Sequence, residues 1–219
     1  MQDWKILHDA VLHGNAQDAR RLTEQALAEG ADPLVLVHDA MMPAMDEAGR
    51  RFETSEFFVP ELLLAARAMK AALELVRPLL AQRGDKPIGR VVIGTVRGDL
   101  HDIGKNLVAA LLEGGGFDVI DLGVNVPPEK FVAVAREREA QIVALSALLT
   151  TTMPAMKNTI DALDEAGLRS RVKIFVGGAP VTQKFADDIG ADGYSANAPG
   201  AVALARKALA EALTTPGVT

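Results

Sequence analysis

A histidine and a carboxylate two residues apart carry the strongest chemical signal in this chain, within Asp99-Leu100-His101-Asp102-Ile103-Gly104. The stretch follows an apolar run, Val91-Val92-Ile93-Gly94, that reads as a buried strand. It precedes Lys105-Asn106-Leu107-Val108-Ala109-Ala110-Leu111-Leu112, which reads as a helix. His101 is thereby presented at the carboxyl end of a strand, in the crevice where open α/β sheets bind ligands. Asp99 can accept a hydrogen bond from the ring, and a carboxylate behind a histidine is how proteins orient a metal-ligating imidazole. Asp99 as a helix N-cap is the plainer reading, and the two roles are compatible. The remaining histidines, His8, His13 and His38, have no ligand spacing and read as surface or helix-packing residues.

The elements that must position this stretch fall into two halves. The first reads as helices only. Trp4, Leu7 and Val11 recur at helical spacing. Asn15 is an N-cap for a second helix with Ala19, Leu22 and Ala26 on one face, ended by Gly30. Asp32-Pro33 opens a third helix with a cap and a proline at its first position. It carries Leu34, Val37, Met41, Met45 and Ala48, and Pro43 inside it predicts a kink. Pro60 opens a fourth helix with a broad stripe of Leu62, Ala65, Ala66, Met69, Ala72, Leu73, Val76, Leu79 and Leu80. Residues 1–83 therefore read as a four-helix bundle, with a polar linker at 84–87. From 88 to 219 strand patterns at 90–95, 118–122, 142–146, 173–176 and near Gly193-Tyr194 alternate with helix patterns at 104–113, 128–139, 152–166, 181–189 and 200–213. That order predicts an α/β fold, a Rossmann-like (flavodoxin-like) parallel five-stranded sheet with helices on both faces. Residues 214–219 read as a frayed tail.

Composition excludes several classes. There is no cysteine, which removes disulfides, iron–sulfur clusters and thiolate zinc sites. A net charge of −6 argues against nucleic acid as a partner. No apolar run approaches the ~18 residues of a membrane span, and the N-terminus lacks a signal-peptide layout, so the expectation is a cytoplasmic protein. Aromatics are only 4% of residues, so the cores must be aliphatic and alanine-rich. Gly98 to Asn106 is not a phosphate-binding loop, because no Ser or Thr follows the lysine. No G-x-G-x-x-G follows the first strand, which disfavours dinucleotide binding. A receiver domain needs an aspartate after the third strand, where this chain has Ser146.

Gly98 through Asn106 resembles the cobalamin-binding loop of methionine synthase and of the small corrinoid proteins of methyl-transfer systems. The resemblance continues through Phe117-Asp118-Val119-Ile120-Asp121-Leu122-Gly123-Val124-Asn125-Val126-Pro127-Pro128-Glu129-Lys130. It reappears at Leu145-Ser146-Ala147-Leu148-Leu149-Thr150 and Val176-Gly177-Gly178-Ala179. In the helical half it includes Gly49-x-x-Phe52 and Phe57-Phe58-Val59-Pro60-Glu61-Leu62. It implies that the cofactor's benzimidazole tail leaves the cobalt and enters the α/β domain, and that His101 takes its place as lower axial ligand. Asp99 would hold the distal ring nitrogen, with Thr152 where the family has a serine. Ser146, Leu148 and Thr150 would line the tail slot, and Gly177 and Gly178 would let the tail pass close to the backbone. Asp102, Ile103 and Gly104 would complete the loop beneath the corrin, and Phe58 would cover its upper face. Bland readings stand beside these: Ser146 as a strand end, Gly177-Gly178 as an ordinary turn, and Phe57, Phe58, Met41, Met42 and Met45 as core.

By resemblance the chain is a corrinoid carrier that binds cobalamin base-off with histidine on. It would shuttle a methyl group through Co(I) and methyl-Co(III), with methylcobalamin as the loaded state. Its expected partners are a substrate-specific donor methyltransferase, an acceptor methyltransferase using a thiol or a folate, and a reductive activation protein. The alternative is a cobalamin-responsive sensor acting through protein contacts; such sensors normally carry a DNA-binding domain ahead of the same module. A receiver-like interaction domain without cofactor is the third reading.

Overall fold

The computed structural model describes residues 4–214. Residues 215–219 of the expected tail, and Met1-Gln2-Asp3 of the N-terminus, lie outside the described residues. The chain forms two compact units. One comprises the residues through Pro87 together with Ala110–Gly116; the other comprises Ile88–Ala109 and the residues from Phe117 onward.

The helical unit contains α1 (Lys5–Leu12), α2 (Ala16–Ala28), α3 (Pro33–Leu36), α4 (Met42–Glu53) and α5 (Val59–Arg83). Asn15 caps α2, its side chain accepting the Asp18 N–H at 3.1 Å, and Asp32 caps α3 by accepting the Leu34 N–H at 2.8 Å. The expected kink at Pro43 takes the form of a π-helical turn, Val37–Met41, between α3 and α4. Proline supplies no N–H, and its ring would strike the carbonyl four residues back, that of Asp39. One wider turn relieves both problems without ending the helix. The core is aliphatic as composition required: Leu36, Met41, Leu62, Met69 and Val76 are fully buried. Each such side chain contributes about 2 kcal/mol of transfer free energy. Leu79 and Leu80, expected on the same stripe, are only half-buried.

The α/β unit is a parallel sheet of five strands in the order β2-β1-β3-β4-β5. They are β1 (Arg90–Thr95), β2 (Asp118–Asp121), β3 (Ile142–Ser146), β4 (Lys173–Gly177) and β5 (Gly193–Tyr194). Helices α6 (Ile103–Gly114), α7 (Pro128–Glu137), α8 (Pro154–Glu165), α9 (Gln183–Ile189) and α10 (Ala198–Thr214) connect and follow them. Val92, Val143, Leu145, Ile174 and Val176 pack with Phe131, Met156, Ile160 and Leu163 in one core. Register places Thr95 opposite Ser146, and Ser146 opposite Gly177, so three strands end level. The chain leaves β1 toward β2 on one side and builds β3, β4 and β5 on the other. The crevice beyond the ends of β1 and β3 is therefore the switch point where open α/β sheets take ligands.

Candidate functional site

Two loops meet at that switch point, one after β1 and one after β3. Thr95, the last residue of β1, is fully buried and donates its hydroxyl to the His101 carbonyl at 2.8 Å. That bond folds the segment back so that α6 begins two residues later, at Ile103. The loop is also tied to the segment after β2. The Gly98 N–H donates to Asn125 Oδ1 at 2.8 Å, and the Asn125 N–H to the Asp99 carbonyl at 2.9 Å. Gly98 has φ +85°, a conformation that favours glycine at this tight turn.

Asp99 is completely buried, yet every hydrogen-bonding direction of its carboxylate is used. Oδ1 accepts the His101 N–H at 3.1 Å and lies 2.8 Å from His101 Nδ1. Oδ2 accepts the Thr152 hydroxyl at 2.7 Å, the Leu148 N–H at 2.8 Å and the Leu149 N–H at 3.3 Å, all from the loop after β3. Burial pushes the carboxyl up. The Thr152 hydroxyl, the Leu148 and His101 amides and the His101 ring outweigh it and hold Asp99 well below the usual carboxylate range. An ionised Asp99 fixes the imidazole tautomer with the proton on Nδ1 and leaves Nε2 as the basic nitrogen. The His101 side chain is half exposed, so Nε2 is reachable.

The other expected residues are distributed as follows. Thr152 is buried and joined to Asp99; its hydroxyl also lies 2.9 Å from the Leu149 carbonyl. Leu148 presents its amide to Asp99 and its side chain to solvent. Ser146 is half-buried at the end of β3, and Thr150 is exposed beyond it. Asp102 and Ile103 are exposed at the start of α6, where Asp102 Oδ2 accepts from Asn106 Nδ2 at 3.1 Å. Phe58 belongs to the helical unit, where it is exposed and its N–H donates to Glu61 Oε2 at 2.9 Å at the start of α5. The three glycines differ in kind. A Cβ on Gly178 would lie 1.8 Å from the Ala147 carbonyl oxygen, and its φ is +130°, so the chain itself requires glycine there. A Cβ on Gly177 would meet only the Ser195 carbonyl, at 3.3 Å. A Cβ on Gly104 would meet nothing within 4 Å.

Sequence reasoning missed Thr95, Lys105, Asp121 and Asn125. One cue was present: Lys105 sits at the same helical face as Ala109 and Leu112, both buried, where an apolar residue is expected.

The donor set limits what metal this site can take. Among the described residues there is no group of three or more His, Cys, Asp and Glu side chains suited to a metal ion. A metal at His101 would draw one nitrogen from the chain and must bring its other ligands with it. Leu100, Val124, Leu148 and Leu149, in the loops after β1, β2 and β3, and Ile103, at the start of α6, are large apolar side chains left exposed. A ring-bound metal with an apolar periphery suits that surface.

Comparison with known proteins points the same way. A B12 binding domain family matches residues 89–203, and a second B12 binding domain family matches residues 5–77. The chain is 44% identical over 203 residues to trimethylamine corrinoid protein 1 of Methanosarcina acetivorans, covering 92% of this chain and 94% of that one. A cobalamin-binding protein from Desulfitobacterium hafniense shares its structure with a TM-score of 0.78 and 32% identity, over 94% of this chain and 98% of that one. A chain of the methanol:cobalamin methyltransferase complex from Methanosarcina barkeri matches with a TM-score of 0.84 and 32% identity, over 97% of this chain and 80% of that one.

Proposed function

The chain belongs to the B12-binding corrinoid proteins, and from that premise we propose that it carries a methyl group on a corrinoid bound base-off, with His101 as the axial ligand. The observation that carries this reading is the Asp99–His101 pair: a buried, fully hydrogen-bonded carboxylate on Nδ1 and an accessible Nε2. When bound, the corrinoid supplies a cobalt centre that accepts and releases the methyl group. His101 would hold that centre through Nε2. Asp99 orients the ring through Nδ1 and leaves Nε2 to the ligand. Thr152 and the Leu148 amide stabilise the carboxylate. Ser146, Leu148 and Thr150, with Gly177 and Gly178, line the tail slot beyond β3 and β4. Gly104 leaves the start of α6 bare for a close approach.

The methyl donor is a methylated amine or an alcohol, in keeping with the trimethylamine and methanol systems to which the chain is similar. Transfer on and off is the work of separate methyltransferases, the acceptor side using a thiol or a folate, with a reductive activation protein restoring the lowest oxidation state. The chain operates in the cytoplasm. Electron paramagnetic resonance of the Co(II) form tests the site: the parent protein gives nitrogen coupling from His101, and His101→Ala abolishes it. Unchanged coupling in the variant sinks the assignment. Mixing the loaded protein with candidate methyltransferases, and following the cobalt spectrum, identifies the donor.

A further inference from the structure

Lys105 is a lysine in the wrong place by every local rule. It lies in the first turn of α6, where the helix dipole disfavours a cation. Its side chain is 2% exposed, on the face that α6 buries with Ala109 and Leu112. A methionine would fill that space without a charge to desolvate. Its ammonium pairs with Asp121 Oδ2 at the end of β2 and donates to Asn106 Oδ1 at 2.6 Å.

Both contacts lead back to His101. Asp121 Oδ1 accepts the Gly123 N–H at 2.8 Å, and the Gly123 carbonyl accepts the Thr95 N–H at 3.0 Å. Thr95 in turn holds the His101 carbonyl through its hydroxyl. On the other side Asn106 donates to Asp102, the residue that follows His101. The ammonium thus joins two chains of hydrogen bonds that close around the His101 backbone. Asp99 fixes the imidazole ring and accepts the His101 N–H; the His101 carbonyl and the residues on either side are held by these two chains instead.

We propose that Lys105 is a positioning residue for His101, its buried pair with Asp121 locking the segment from Thr95 to Asn106. The proposal rests on His101 being the axial ligand. It assigns Lys105 no contact with the corrinoid and no part in methyl transfer.

The test uses the full chain, with and without cobalamin, as Lys105→Met, Asp121→Asn and the double variant. Lys105→Met removes the buried charge itself, whereas Asp121→Asn leaves it with an amide acceptor, so the two variants and their double test the pair by independent routes. Each single variant should bind cobalamin roughly tenfold more weakly. Each should give a weakened or heterogeneous nitrogen coupling in the Co(II) spectrum. Amide exchange at residues 99–102 of the cofactor-free chain should accelerate in both. The double variant should be no worse than either single, because both remove one interaction. Parental exchange and parental coupling in a folded Lys105→Met or Asp121→Asn overturn the proposal. His101→Ala is run alongside. If it retains parental coupling, the ligand assignment has failed, while exchange in the cofactor-free chain still reports on the Lys105 lock by itself.

Discussion

The two units handle buried polar groups differently. Among the described residues of the helical unit Thr23 is the buried polar side chain, and it donates to the Ala19 carbonyl of its own helix at 2.7 Å. In the α/β unit Thr159 does the same, donating to the Ala155 carbonyl at 2.8 Å. Such bonds are local and satisfy a hydroxyl without connecting anything. Thr95, Asp99, Lys105 and Thr152, also buried, behave otherwise: each bonds to a residue of another loop or strand, and all converge on the segment bearing His101. Buried polar networks are costly unless complete. Their concentration at one crevice marks where the fold gives up packing for geometry.

Breaking the network should therefore cost far more than breaking a local bond. Asp99→Ala strips the acceptor from the Leu148 and Leu149 amides and from Thr152. It should destabilise the cofactor-free protein by about 4 kcal/mol, measured by denaturant unfolding. Thr23→Val in the helical unit should change stability by less than about 1 kcal/mol. Equal effects would erase the contrast.

The same contrast has a pH signature. The folded protein holds the Asp99 carboxyl below its unfolded value of about 4. The stability it contributes is complete above about pH 4 and is lost as pH falls below it. Asp99→Asn should flatten that acid limb in unfolding curves, and Thr23→Val should leave it unchanged.

The glycines sharpen the comparison within the α/β unit. Gly178→Ala forces a Cβ against the Ala147 carbonyl at a positive φ and should cost about 3 kcal/mol without any cofactor. Gly104→Ala meets open space and should leave the cofactor-free protein as stable or about 0.5 kcal/mol more so. Its penalty should appear only in cobalamin affinity, measured by spectroscopic titration. Thr152→Ser keeps the hydroxyl and should match the parent within about 0.5 kcal/mol, whereas Thr152→Val should lose about 1.5 kcal/mol.

Local sequence determined the elements. The strand bounds at Arg90–Thr95 and Ile142–Ser146 follow from short apolar runs, and Asn15, Asp32 and Gly30 mark helix ends by their own chemistry. The Asp99–His101 pair was legible because two residues of spacing on one loop suffice for the bond. Thr152 was legible only through family resemblance, since it comes from a different loop, 53 positions away. The π-turn before Pro43 was half legible: proline announces a disturbance, but packing decides whether the helix bends or widens.

Tertiary structure alone decided the rest. The sequence shows that Gly178 lacks a side chain; only the approach of Ala147 shows that the chain, before any ligand, requires it. The sequence shows a lysine on an apolar stripe; only the arrival of Asp121 from β2 turns that anomaly into a buried pair. Hydrogen bonds within a turn are fixed by spacing along the chain. Those between loops depend on which strands the sheet sets side by side, and that order, β2-β1-β3-β4-β5, is written in no single segment.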